Sequence, residues 1–229
     1  MNSELIRNDF PILKTKVGGH QIVYFDNAAT TQRPLPVVNA VLDYTTHENG
    51  NPHRGAHIFA ISASEAYDTS KEVVRDFIHA RSEKEIIYTR NTSESLNLVA
   101  RSYGETHLKA GDHILITIAE HHSNLVTWQR VAQKTGATLD YIYVDKKTGH
   151  FPEEELKKID DPRVKLFAFA EVSNVLGIDF DPKPLIQRAH AHGAIVVLDG
   201  AQSTPHKPVD VQDLDCDFFA FSGHKMCSM

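Results

Sequence analysis

The stretch Ala194-Ile-Val-Val-Leu-Asp-Gly-Ala-Gln202 decides the fold. Its first five residues are apolar and mostly β-branched or aliphatic, which is typical of a strand buried on both faces. A carboxylate and a glycine follow immediately, so the strand is predicted to end at Leu198 and to present Asp199 at its carboxyl end. A strand of this kind needs helices on both sides, as parallel α/β sheets provide.

Similar apolar runs alternate with amphipathic segments along the rest of the chain. Strands are predicted at residues 85–89, 113–117, 138–144, 165–170, 194–198 and 217–221. Helices are predicted at residues 35–47, 62–80, 93–103, 123–135, 152–159 and 181–192. Because helix-length segments separate the strands, the sequence predicts an α/β fold: a mostly parallel central sheet with helices on both faces.

Composition excludes several classes of protein. A net charge of −6 disfavours binding to nucleic acid or to an anionic membrane surface. No apolar run approaches the roughly 20 residues of a membrane-spanning helix, and the first residues do not resemble a secretory signal. The two cysteines, Cys216 and Cys227, indicate no disulfide framework. We therefore expect a cytoplasmic protein with neither nucleic acid nor membrane as a partner.

Polar clusters mark the places where ligands are expected. In parallel sheets, ligands bind at the carboxyl ends of the strands, often against the first turn of a helix. Four clusters lie there: Thr89-Arg-Asn-Thr-Ser-Glu94, Glu120-His-His-Ser-Asn124, Asp199-Gly-Ala-Gln202 and Ser222-Gly-His-Lys225. The sequence contains no GxGxxG, GxxxxGK[ST] or GxSxG motif, which weakens the dinucleotide-binding, NTPase and serine-hydrolase alternatives.

Asp199 has two interpretations. An aspartate before a glycine often caps a turn, and the residue type alone does not decide against that role. Alternatively, the carboxylate pairs with a cationic ring nitrogen. Such a pair at about 4 Å is worth on the order of 4 kcal/mol. It would raise the pKa of the nitrogen by roughly 3 units and keep the ring protonated.

Lys225 and the residues beside it invite a similar comparison. Most lysines are exposed surface charges, but one at the mouth of a sheet is partly desolvated and suited to forming a Schiff base. Ser222 and His224 have groups that can bind a phosphate, or that can bond their own turn. Thr92 and Ser93 open a predicted helix behind Asn91, a start that is both well capped and suited to phosphate.

No metal site is predicted. His121 and His122 are adjacent, and neighbouring residues of one element point in different directions. Cys216, His224 and Cys227 match no usual spacing of a structural zinc site.

Six segments, in this order, resemble the SufS-type (group II) cysteine desulfurases of the class V aminotransferase group, which are fold-type-I enzymes dependent on pyridoxal 5'-phosphate (PLP). The likeness extends over nearly the whole chain. The segments are Asp26-Asn-Ala-Ala-Thr-Thr31, His53-Arg-Gly-Ala-His57, Glu120-His-His-Ser-Asn124, Val172-Ser-Asn-Val-Leu-Gly177, Asp199-Gly-Ala-Gln202 and Ser222-Gly-His-Lys-Met226.

The resemblance implies a role for each candidate site residue. Lys225 holds PLP as a Schiff base, and His122 stacks on the ring and moves protons. Asp199 pairs with the pyridine nitrogen, and Gln202 bonds the phenolic oxygen. Four residues hold the phosphate, namely Thr92, Ser93, Ser222 and His224, while Asn174 lies near the substrate carboxylate.

The resemblance also implies a reaction and partners. The substrate is L-cysteine, the products are L-alanine and a persulfide, and the sulfur passes to an acceptor protein of iron–sulfur cluster assembly. Full-length members form homodimers. Residues 1–15 would be an N-terminal segment and residues 16–229 a truncated PLP-binding large domain. The C-terminal small domain and the persulfide cysteine would be absent, so this chain is expected to lack turnover.

Two alternatives and one departure stay open. The chain also fits another class V lyase, such as one acting on selenocysteine, or a non-catalytic PLP-binding remnant. Where the family has Gly-Thr-Thr in its phosphate turn, this chain has Asn91-Thr92-Ser93. The asparagine at position 91 fits only if the backbone there adopts a conformation that is open to residues other than glycine.

Overall fold

In the computed structural model, residues 3–228 are described and divide into two compact units. The first, called here the N-terminal unit, comprises residues 3–86 and 223–228. The second, called the sheet unit, comprises residues 87–222. None of the helices within residues 3–228 is both long and apolar enough to cross a membrane.

The N-terminal unit has little core of its own. Helix α2 buries none of its side chains, and helix α3 buries only Ala60 and Ala63. Its elements are α1 (Ser3–Asn8), β1 (Lys16–Val17), β2 (His20–Gln21), α2 (Leu35–Asp43) and α3 (Ile58–Phe77), with β1 and β2 antiparallel. A π-helix (Tyr44–Glu48) continues α2, and short 3-10 helices cover Pro11–Lys14, Glu83–Glu85 and Gly223–Lys225.

The sheet unit alternates strands with helices. Its strands are β3 (His113–Thr117), β4 (Thr138–Ile142), β5 (Val164–Ala170), β6 (Ile195–Asp199) and β7 (Phe218–Ala220). Its helices are α4 (Thr92–Val99), α5 (Glu105–His107), α6 (His122–Thr135), α7 (Glu153–Leu156), α8 (Pro182–Ala191) and α9 (Val211–Leu214). A π-helix (Ala100–Gly104) follows α4, and a 3-10 helix (Lys157–Asp160) follows α7.

All five strands are parallel, in the order β4-β3-β5-β6-β7. The chain leaves β3 toward β4 on one side, and then returns to form β5 on the other side of β3. The strand order therefore reverses between β3 and β5. The carboxyl ends of the strands at such a switch point border the crevice in which α/β proteins bind ligands.

The core lies on both faces of this sheet. Ile114 and Ile116 of β3 point to one face, where they join Trp128 of α6. Leu115 points to the other face and packs with Phe167 of β5 and Ile186 of α8. This alternation follows from the two-residue period of a strand, and it confirms the predicted α/β fold with helices on both faces.

The predicted elements are confirmed except for one strand. Residues 85–89 are not a strand: Glu85 ends a 3-10 helix, and no strand within residues 3–228 pairs with the residues after it. Ile87 and Tyr88 are exposed, so their β-branched and aromatic character does not reflect burial in the sheet. The predicted strand 138–144 ends at Ile142, and predicted helix 62–80 begins earlier, at Ile58.

Candidate functional site

The candidate residues fall in both units. The sheet unit carries Thr92, Ser93, His122, Asn174, Asp199, Gln202 and Ser222, whereas His224 and Lys225 belong to the N-terminal unit.

Two hydroxyl-bearing residues meet at the start of α4. The backbone N–H of Thr92 donates to Ser222 Oγ at 2.8 Å, and the two hydroxyl oxygens are 2.5 Å apart. Both residues are buried, although 130 positions separate them in the sequence. The start of α4 thus brings two hydroxyl groups to the amino end of a helix, a place suited to a phosphate.

Asn91 caps this helix without strain. Its side-chain oxygen accepts a hydrogen bond from Glu94 N at 3.0 Å, as the capping interpretation predicts. Its backbone φ is −173°, an extended conformation that any residue adopts. The asparagine in place of the family's glycine therefore imposes no conformational penalty on the turn.

A chain of hydrogen bonds joins the starts of α4 and α6. Ser93 Oγ lies 2.5 Å from Ser123 Oγ, and Ser123 Oγ lies 2.9 Å from His121 Nδ1. His121 also caps α6 by accepting from Ser123 N at 3.1 Å. His122 is the first residue of α6, and its side chain is exposed. The two histidines therefore differ in role: His121 is used as a cap, and His122 is presented at the surface.

Asp199 ends β6 and is 4% exposed. Its Oδ1 accepts a hydrogen bond from Ala201 N at 2.9 Å, so the turn-capping interpretation is correct as far as it goes. Gln202, three residues on, is also buried. A buried carboxylate is costly unless its charge is compensated, so its position at a strand end suits pairing with a cation.

Gly200 is explained by close packing. Its φ is not in the left-handed region, but a Cβ at this position would lie 2.1 Å from Cζ of Phe219. The ring of Phe219 therefore lies against the backbone that follows Asp199.

Gly200→Ala is expected to lower the free energy of unfolding by about 1–3 kcal/mol, because the added methyl overpacks against Phe219. Urea unfolding followed by circular dichroism measures this change. Phe219→Leu removes the three clashing ring atoms, so Gly200→Ala should cost less in that background. An equal cost in both backgrounds would show that the contact with Phe219 is not the reason for the glycine.

Asn174 is exposed, in a turn that follows β5. The turn is held by Ser173, whose hydroxyl donates to Ala119 O at 3.1 Å and whose carbonyl accepts from Gly177 N at 2.9 Å. Asn174 is thus placed on a defined turn.

In the N-terminal unit, the segment 26–31 holds the backbone beside Lys225. The carbonyl oxygen of His224 accepts from Thr31 N at 2.9 Å and from the Thr30 hydroxyl at 3.0 Å. The Thr31 hydroxyl accepts in turn from Cys227 N at 2.7 Å. Burial and the neighbouring charge of Lys225 lower the pKa of His224. These bonds give a local reason for the two threonines of the Asp26–Thr31 motif.

Glu120 begins the polar cluster Glu120–Asn124, but the sequence pattern predicts no role for it. Burial raises the pKa of Glu120 to about 7, against the opposing effect of its hydrogen bonds with Thr117, Asn124 and Ala170. Those partners come from different elements, so only the tertiary structure reveals the interaction. No group of three or more metal-binding side chains occurs among the described residues.

Comparison with known proteins gives consistent results. The model of the Aminotransferase class-V family matches residues 23–229. A probable cysteine desulfurase of Halalkalibacterium halodurans is 49% identical over 226 residues, which are 99% of this chain and 55% of that protein. A probable cysteine desulfurase of Synechocystis is 47% identical, over 97% of this chain and 53% of that protein.

Solved structures of cysteine desulfurases align with nearly the whole chain. The cysteine desulfurase CsdA of Escherichia coli aligns with a TM-score of 0.86 at 38% identity, over 99% of this chain and 55% of that one. The apo cysteine desulfurase of Thermococcus onnurineus aligns with a TM-score of 0.88 at 41% identity, over 98% of this chain and 54% of that one. The chain spans about half the length of these relatives.

Proposed function

Because this chain belongs to the class-V aminotransferase family, we propose that it is part of a cysteine desulfurase that removes sulfur from L-cysteine and leaves L-alanine. The observation that carries the proposal is that relatives named cysteine desulfurase match nearly the whole chain. The buried carboxylate at the end of β6, in the same unit as the hydroxyl cluster of α4, supports it.

The cofactor of the family is PLP, and the residues of the sheet unit fit it. The hydroxyls of Thr92, Ser93 and Ser222 and the first turn of α4 suit a phosphate. Asp199 is a buried carboxylate that suits a pyridinium nitrogen. When bound, PLP supplies a conjugated cation that delocalises the negative charge developing at the substrate Cα.

The chain's own residues divide the remaining work. With PLP bound, Asp199 would pair with the ring nitrogen and keep it protonated, and Gln202 would donate to the phenolic oxygen. His224 joins the phosphate-binding set. Asn174 binds the substrate carboxylate from its turn after β5.

Lys225 and His122 act on protons. We assign the Lys225 amine two roles: it would attach the cofactor covalently, and it is a base that can take the proton from the substrate Cα. His122 would lie against the ring face of bound PLP and hold a proton for transfer to or from the substrate. Its imidazole ring has two nitrogens, one that can accept a proton and one that can donate one.

Sulfur acceptance is assigned to a cysteine outside these 229 residues. A nucleophilic cysteine must be a thiolate. Burial raises the pKa of the Cys216 thiol to about 12, so it is almost wholly protonated at neutral pH. Cys227 follows Lys225 closely and matches no persulfide position of the family. We propose accordingly that the 229-residue chain binds PLP but does not turn over.

The enzyme type, oligomeric state, location and sulfur acceptor are proposed from the resemblance. We propose a SufS-type enzyme that is homodimeric at full length, resides in the cytoplasm and passes sulfur to an acceptor protein of iron–sulfur cluster assembly. The free thiols of Cys216 and Cys227 accord with a reducing compartment.

The test compares the 229-residue chain with a form extended by the sequence that follows it in its gene, each with PLP, L-cysteine and a thiol reductant. The extended form is expected to release L-alanine and sulfide in equal amounts, and the shorter chain neither. Amino-acid analysis and a sulfide assay measure the products. Much faster turnover of L-selenocysteine than of L-cysteine would instead favour the selenocysteine lyase alternative, and PLP binding by both forms without release of L-alanine or sulfide would favour the non-catalytic PLP-binding remnant.

A further inference from the structure

Glu120 joins three elements at the carboxyl edge of the sheet. Its Oε1 accepts from the hydroxyl of Thr117, the last residue of β3, at 2.5 Å, and from the backbone N–H of Ala170, the last residue of β5, at 3.0 Å. Its Oε2 accepts from Asn124 Nδ2 of α6 at 2.6 Å. The carboxylate thus bridges β3 and β5, the pair of strands between which the strand order reverses.

The direction of these hydrogen bonds is imposed by two groups that can only donate. The indole N–H of Trp128 donates to Asn124 Oδ1 at 2.7 Å, so the amide nitrogen of Asn124 must face Glu120. The backbone N–H of Ala170 faces the other oxygen of Glu120. Both oxygens are therefore required as acceptors. A glutamine at this position would set an amide group against a donor in either orientation, whereas a carboxylate satisfies all three.

The same bonds surround His122. Glu120 precedes it by two residues, and Asn124, which is fully buried, follows it by two. Its immediate neighbours, His121 and Ser123, are bonded to each other. The side chains on both sides of His122 are thus committed to internal hydrogen bonds, while the imidazole of His122 itself is exposed. An exposed ring on so firmly held a backbone is well prepared to lie against a flat ligand.

We propose that Glu120 is a positioning residue: it holds the first turn of α6 at the ends of β3 and β5, so that His122 is presented in one orientation to the ring of the cofactor. The inference rests on the proposed function, which assigns His122 its role toward PLP. Glu120 itself does not touch the reacting atoms.

The test is a double-mutant cycle between Glu120→Gln and His122→Ala in the 229-residue chain, with the dissociation constant of PLP measured by equilibrium dialysis. Loss of ring stacking in His122→Ala should weaken binding about fivefold. Glu120→Gln should weaken it by up to the same factor. If Glu120 acts through His122, the double variant binds PLP no more weakly than His122→Ala alone. Factors that multiply in the double variant would overturn the proposal, as would wild-type affinity in Glu120→Gln.

A second cycle tests the direction of the hydrogen bonds. In Trp128→Phe the indole donor is gone, so Asn124 can turn its amide oxygen toward a glutamine at position 120. The factor by which Glu120→Gln raises the dissociation constant of PLP should therefore be about twofold smaller in the Trp128→Phe background than in the wild type. The same loss in both backgrounds contradicts the argument. If Glu120→Gln does not fold, Thr117→Val, which removes one donor and keeps the carboxylate, takes its place in the cycle with His122→Ala.

A readout without cofactor separates this inference from the proposed function. In the NMR spectrum of the histidine-labelled chain, the His122 ring signal is identified by its loss in His122→Ala. That signal should be single in the wild type and broadened or split in Glu120→Gln, with the signals of the exposed His20 and His47 unchanged. An unchanged His122 signal refutes the positioning role. Failure of the wild-type chain to bind PLP, with the His122 signal still responding, refutes the proposed function alone.

Discussion

Replacing Lys225 with alanine is expected to abolish covalent attachment of PLP to the chain. Borohydride reduction of the wild-type chain with PLP should leave a pyridoxyl group on Lys225, and Lys225→Ala should leave none on the corresponding peptide. Only an amine can form the Schiff base, so the effect is all or none rather than graded. Mass spectrometry of the digested protein locates the group.

The backbone hydrogen bonds beside Lys225 should survive this substitution. The preceding carbonyl, of His224, is held by Thr30 and Thr31, and these bonds do not involve the lysine side chain. The turn should therefore persist in Lys225→Ala. Lys146→Ala, at an exposed lysine in a loop after β4, is the matched control and should keep full labelling. Stoichiometric labelling that maps to another lysine would refute the assignment.

Asp199→Asn is expected to slow removal of the Cα proton of L-cysteine about a thousandfold, in the form extended to the length of its relatives. Loss of a charge pair worth on the order of 4 kcal/mol removes roughly 3 units of pKa support from the ring nitrogen. Affinity for PLP should change far less, since the phosphate-binding residues are untouched. Deuterium incorporation from D₂O at Cα, followed by NMR, measures the rate.

Asparagine isolates the charge from the turn. The Oδ1 of Asp199 accepts from Ala201 N at 2.9 Å, and an asparagine carbonyl oxygen can accept the same bond. Asp181→Asn, at an exposed aspartate before α8, serves as the control and should leave the rate unchanged. An exchange rate in Asp199→Asn within a few-fold of wild type would mean that the carboxylate only caps its turn.

Local sequence patterns predicted an element correctly where one interaction, such as burial of an apolar run, decides its conformation. The apolar run before Asp199 predicts a buried strand, and the strand ends with that carboxylate, because continuous β-branched sequence has few alternatives once both faces must be covered. The same rule failed for residues 85–89. Ile87 and Tyr88 favour a strand by residue type, but a strand requires a neighbour to bond with, and no local pattern reports whether one is present.

The sequence by itself determined the α/β class, the strand that carries Asp199 and the helix start at Thr92, because hydrophobic period and capping act over a few residues. Only the tertiary structure decided that Thr92 meets Ser222 and that Glu120 bonds Thr117, Asn124 and Ala170 together. The contacts Thr92–Ser222 and Glu120–Ala170 join groups that are 130 and 50 positions apart in the sequence. They depend on the order in which the strands lie side by side, which the residues of no single segment encode.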